Sequence, residues 1–126
     1  MEEQKDLKQI PIGTKEKQKA TPATVKIVKV EIEYVEKAKA NKVACSVKHP
    51  QLDDEINISS AKVEVGKDKI KVVGLWVNLD KEEKLDKGSA TAKLLTFLGC
   101  ENIQQLEGKE CMTAEDDMGY LCFKAY

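Results

Sequence analysis

The side chains that could do chemistry here are four cysteines, one histidine and three acidic groups, and their spacing excludes most of what they could do. Cys45, Cys100, Cys111 and Cys122 are far apart in the chain. A structural zinc site brings its sulfurs in close pairs such as C-x2-C, because a tight turn has to aim two ligands at one ion. No such pair occurs. Cys45 and His49 make a C-x3-H on one face of an alternating segment, with no second pair to complete a cage. The cysteines therefore read as buried or half-buried free thiols. Cys111 and Cys122 flank the last expected hairpin and are the only cross-strand neighbours on offer for a disulfide, which would need an oxidising compartment or a hyperthermophilic cytosol.

Asp53, Asp54 and Glu55, then Asp80, Glu82 and Glu83, then Glu115, Asp116 and Asp117 all fall in expected turns or linkers. None is matched by a histidine or by another group at catalytic spacing, so solvated loop charge is the expectation. His49, the only histidine, stands between lysine and proline with no partner for general-base work. The chain has no G-x-x-x-x-G-K-[ST], no G-x-G-x-x-G and no G-x-S-x-G. The reading is a protein that is not an enzyme and uses neither cofactor nor metal.

Composition bounds the rest. A chain of 126 residues supports one ordinary core. Charged residues make up 34% and the formal net charge is −1. No run of apolar residues reaches membrane-spanning length, and the N-terminus lacks the apolar centre of a secretory signal. An intracellular, cytoplasmic address with no membrane partner is expected. All 21 basic residues are lysine. Without arginine there is no planar fork for bidentate recognition of guanine, whereas lysine still binds phosphate as a point charge.

The elements that must position these residues follow from periodicity. Residues 1–22 are charged or polar, with little to bury, and read as a disordered N-terminal tail. A single domain is expected over 23–126. TVKIVKVEIEYVEK alternates with period two but changes parity between Ile27 and Val28, as a bulged strand does. NKVACSVKHP continues with Val43, Cys45 and Val47 inward, and Ile56, Ile58, Val63 and Val65 mark short pieces. KIKVVGLWVNLD again changes parity, beside Gly74, which predicts a second bulge. Ser89 caps a helix whose stripe is Leu94, Leu95 and Leu98, and Gly99 ends it. A turn through Ile103 and Leu106 follows, then two strands joined around DDMG. The fold class is mainly β with one α-helix, placed before the last two strands.

If Leu121, Phe123 and Ala125 face the core, Tyr120, Cys122, Lys124 and Tyr126 face away. If Leu75, Val77 and Leu79 face inward, Trp76 faces outward. Aromatic rings interleaved with lysines on a sheet surface suit stacked bases and a phosphate path. A W-x-N-L strand end at Trp76–Leu79, the helix AKLLTFLG, an L-x-G-K entry at Leu106–Lys109 and a D-x-G-Y turn at Asp117–Tyr120 resemble small phage and archaeal-virus single-stranded-DNA-binding proteins of the OB-fold type. The resemblance implies a five-stranded OB-like barrel and a replication or recombination accessory role. It departs in the absence of arginine, in the mildly acidic balance and in having no acidic C-terminal tail.

Single-stranded nucleic acid is thus the expected partner, with Trp76, Tyr120 and Tyr126 stacking and Lys69, Lys71 and Lys124 on phosphates. The alternative is a protein-interaction module of the same fold, binding a protein or itself through a free edge or the aromatic face.

Overall fold

The change of parity after Ile27 is a β-bulge against a neighbouring strand. The first strand, β1 (Thr24–Val35), begins against β6 (Glu110–Glu115), pairing Val25 with Cys111. Along its other edge it pairs with β2 (Ala40–Lys48) over nearly its whole length, with a register shift between Ile27 and Lys29. The extra residue lets Val25 and Ile27 stay fully buried while the strand turns. Beyond the bulge the strand projects past the core, and Ile32 and Tyr34 are 50% and 64% exposed.

The computed structural model describes residues Ala20–Tyr126. The tail expected over 1–22 lies outside them except for Ala20–Pro22. The start of the described chain is held: Thr113 Oγ1 donates to the Ala23 carbonyl at 2.6 Å and accepts from its N–H at 2.9 Å. His49 is buried just below. Its Nδ1 accepts from the Gln51 N–H, which leaves Nε2 to donate to the Thr21 carbonyl at 2.7 Å. The only histidine is a clamp on incoming chain, with both nitrogens used.

After β2 come β3 (Ile56–Ile58), β4 (Ser60–Gly66) and β5 (Lys69–Gly74), then α1 (Ala90–Phe97), a 3₁₀ turn at Ile103–Leu106, β6 and β7 (Leu121–Lys124). The strands form one seven-stranded mixed sheet in the order β3-β2-β1-β6-β7-β4-β5, which does not close. Every pairing is antiparallel except β4 with β7. The mainly β reading with one helix holds for the described residues. The described residues form seven strands in an open sheet, where the resemblance implied a five-stranded barrel.

The helix ends are local chemistry. Ser89 Oγ accepts from the Ala92 N–H at 3.1 Å. At the other end Gly99 has φ +71°, the Gly99 N–H bonds the Thr96 carbonyl and the Cys100 N–H bonds the Leu95 carbonyl. That is the Schellman arrangement, which glycine enters without a Cβ penalty. The helix lays Ala90, Thr91, Leu94 and Leu95 on the sheet. The core beneath joins Val25, Ile27, Val43, Cys45, Val47, Ile58, Val63, Leu75 and Phe123. Leu106 in the 3₁₀ turn completes it.

Three expectations need correction. Gly74 is not a bulge: β4 and β5 pair without a break from Lys62/Val72 to Ser60/Gly74, and the register shift lies between Glu64 and Gly66. Leu79, expected inward, is 58% exposed, because β5 ends at Gly74 and Leu79 only bridges Leu85 across a loop. Cys122, expected on the open face, is fully buried. It pairs with Ala114, a small neighbour, and Lys62 from the adjacent strand stands close enough for its charge to act on the thiol.

Candidate functional site

Two aromatic rings stand under lysine ammonium groups. Lys42 Nζ is 5.0 Å from the centroid of Trp76, and Lys124 Nζ is 5.0 Å from that of Tyr126. Both distances fall within the range of cation–π attraction.

Trp76 is fixed from several sides. Past Gly74 the chain leaves β4 and crosses to β2: the Leu75 N–H bonds the Ser59 carbonyl, its carbonyl accepts from Val43, and the Val77 N–H bonds the Asn41 carbonyl. The Thr91 hydroxyl of α1 donates to the Trp76 carbonyl at 2.7 Å. A Cβ on Gly74 would sit 2.8 Å from Trp76 Nε1, so glycine is what allows the indole to lie against the strand. The ring is half-buried, neither sealed beneath the helix nor free in solvent.

Tyr126 is held differently. The Ala125 N–H donates to the Lys62 carbonyl, prolonging the parallel β4–β7 pairing by one residue and setting Tyr126 just beyond it. The ring is 40% exposed. It borders an open groove of about 490 Å³ whose other walls include Lys62, Ile70, Lys71, Val72 and Asp117.

The expected site residues therefore separate. Tyr126, Lys124 and Lys71 come together. Lys69 is exposed at the β4–β5 turn, opposite Gly66. Tyr120 is half-buried at the end of the β6–β7 turn, its N–H donating to Asp116 Oδ1 at 2.9 Å. Trp76 lies beyond the far end of β5, with Lys42. Lys42 and Lys62 were not among the expected residues. Both depend on pairings between distant segments, β2 with 75–77 and β4 with β7, which no local pattern announces.

Two of the three acidic groups organise turns. Asp80 Oδ1 accepts from the Glu82 and Lys84 N–H groups, and Asp116 Oδ1 from those of Met118 and Tyr120. The cysteines are free. Burial, reinforced by Cys111, pushes the Cys45 thiol up to about 12; burial pushes Cys111 up to about 11. Cys122 is raised by burial and opposed by Lys62. The thiolate is the nucleophile and the ligand, so these three thiols are poor at both tasks near neutral pH. Cys111 and Cys122 also sit on opposite faces: Cys122 pairs with Ala114, which places Cys111 in the core and Cys122 behind the sheet. Across the core it is Cys45 on which Cys111 acts.

No helix among the described residues is long and apolar enough to cross a membrane. Comparison with protein-family models, with curated proteins and with solved structures returned no match.

Proposed function

We propose that this protein is a non-catalytic binder of single-stranded nucleic acid, built on a small OB-like barrel and serving as a replication or recombination accessory. The barrel reading rests on strand neighbours. β3 and β4 are separated only by Ser59, so together they act as one bent strand with β2 on one part and β7 on the other. Counted that way, the pairings of the open sheet follow the order β1, β2, β3/β4, β7, β6 and β1, which supports the barrel reading. The third and fifth are parallel, and the helix lies between the third and fourth. β5 is then an added hairpin arm.

The observation that carries the function is the Lys124–Tyr126 pair at the edge of a groove walled by Lys62 and Lys71. An exposed ring supplies a stacking face that accepts any base, and ammonium groups beside it hold the phosphates. Lysine without arginine suits binding that tolerates sequence. The test is a titration of fluorescently labelled oligo-dT at low and moderate salt. Salt-sensitive binding that Tyr126→Ala weakens supports the reading; an oligonucleotide whose anisotropy stays flat at low salt removes it.

One observation favours the second reading, a protein-interaction module. β6 covers only Thr24–Lys26 of β1, and among the described residues no strand pairs with the outer edge of β1 beyond the bulge. The Val30 N–H on that edge is taken by Glu107 Oε1 at 3.2 Å, and strand alternation turns the backbone of Ile32 and Tyr34 the same way. An open edge with exposed apolar side chains invites strand addition. Concentration-dependent self-association abolished by Ile32→Pro, without any oligonucleotide effect, would favour this reading.

A further inference from the structure

Phe97 is an exposed ring that the packing of its helix does not explain. It occupies the last turn of α1, off the stripe of Ala90, Thr91, Leu94 and Leu95 that meets the sheet, and is 50% exposed. Leaving an aromatic ring in water forgoes burial energy, and nothing in the packing of α1 requires it there. Its surroundings give it a use. A second groove, again about 490 Å³, lies between the helix and the end of β7, and Phe97 and Tyr126 both line it with Lys87, Lys93 and Glu64. Tyr126 is therefore a wall common to this groove and to the one bordered by Lys62 and Lys71. A third groove of about 460 Å³, with Lys84 and Glu101 on its rim, shares Lys87 and Thr96 with the second.

The three grooves run in series from the sheet, past Tyr126 and Phe97, onto the helix. Lys62, Lys71, Lys93, Lys87 and Lys84 line them, against Asp117, Glu64 and Glu101. Lys93 is anchored by donating from Nζ to the Glu64 carbonyl at 2.5 Å, which fixes a positive charge on the groove wall without neutralising it. A small ligand would need one enclosed pocket. Open grooves in succession, with two rings and a surplus of ammonium groups, match a polymer that repeats a flat apolar group and an anion.

We infer that the bound strand leaves the sheet at Tyr126 and continues across Phe97 into the Lys87–Lys93 groove, making Phe97 the second stacking platform and the helix part of the interface. This rests on the single-stranded nucleic-acid reading and extends it to a path. A single OB-type domain commonly covers between about 4 and 16 nucleotides. A path confined to the Tyr126 groove would saturate near the lower figure, and one that reaches the helix needs a longer strand.

The test is a length series of labelled oligo-dT against the full chain, the Phe97→Ala chain and the Lys87→Gln chain. Thermal unfolding of each variant checks that the fold is kept, which the exposure of both side chains favours. Wild-type affinity should rise with length beyond the shortest oligonucleotide bound. Phe97→Ala should remove that rise, lowering affinity for the longer strands by about tenfold or more while leaving the shortest unchanged. Lys87→Gln should reduce the salt slope for long strands by about 0.7. Binding by both variants that matches wild type at every length overturns the path while leaving the nucleic-acid function standing. Absence of binding by wild type at any length overturns both. Self-association of the wild type that Phe97→Ala abolishes, read by sedimentation without oligonucleotide, would give the groove to a second copy and also overturn the path.

Discussion

The two lysine-capped rings have the same 5.0 Å geometry and opposite settings. Around Trp76 the backbone is bonded to β2, to the Ser59 break and to the helix through Thr91, and a glycine is required beneath the indole. Around Tyr126 one backbone bond, Ala125 to Lys62, positions the ring, and open grooves lie on both sides. The first pair is a joint that ties the end of β5 to its neighbours. The second leaves its ring bordering two open grooves, as the proposed stacking platform requires. The comparison teaches that a cation–π contact does not identify a binding surface; what surrounds the ring decides whether it has a face left to offer.

The comparison breaks most visibly if the two rings are truncated in turn. Trp76→Ala should cost about 2–3 kcal/mol of stability, because it empties a half-buried indole site at the junction. Tyr126→Ala should cost less than about 0.5 kcal/mol and act on binding instead. Urea unfolding of the two variants checks both figures, and equal costs would erase the distinction. A smaller loss, about 1–2 kcal/mol, is expected for Gly74→Ala, whose methyl would displace the indole from 2.8 Å. A shift in Trp76 emission should accompany it. Thr91→Val should cost about 1 kcal/mol by leaving the Trp76 carbonyl without its donor.

Alkali sharpens the same contrast more gently. Folded Cys45 and Cys111 are raised to about 12 and about 11 from the ordinary 9.0, first by burial. The unfolded thiols lose protons earlier, so the stability they contribute is complete below about pH 9 and disappears as pH rises through 11 to 12. Thermal melts at pH 8, 10 and 11 should show the melting temperature falling, and Cys45→Val should flatten the fall. At neutral pH iodoacetamide should modify half-buried Cys100 first and reach the three buried thiols only on unfolding.

What the sequence made legible was local. The Ser89 cap, the Gly99 terminus, the 3₁₀ turn, the hairpin around DDMG and the bulge after Ile27 each depend on a few adjacent residues, and each is present. The parity change beside Gly74 looked the same as the one at Ile27 but had another cause: the chain departs from β4 there to reach β2, and the glycine serves the indole. Cys111 and Cys122 looked adjacent because they flank one hairpin. The register, Thr113 opposite Phe123, puts them on opposite faces, and register is set by the turn and not by the spacing of the cysteines. Of the expected site, the alternation in LCFKAY correctly set Lys124 beside Tyr126. Lys62 and Phe97 became visible only when β4, β7 and α1 were brought together, since their meeting depends on a parallel pairing between segments some sixty residues apart.

The central claim, that the Tyr126 side of the sheet holds single-stranded nucleic acid, is tested most directly by one titration. Labelled oligo-dT is added at low salt to wild type, Tyr126→Ala and Lys124→Gln, each shown to unfold at the wild-type denaturant midpoint. The account predicts wild-type binding that weakens as salt rises. Tyr126→Ala should lower affinity by roughly tenfold, and Lys124→Gln should lower the salt slope by about 0.7. Flat anisotropy with wild type, or binding that neither substitution alters, contradicts it.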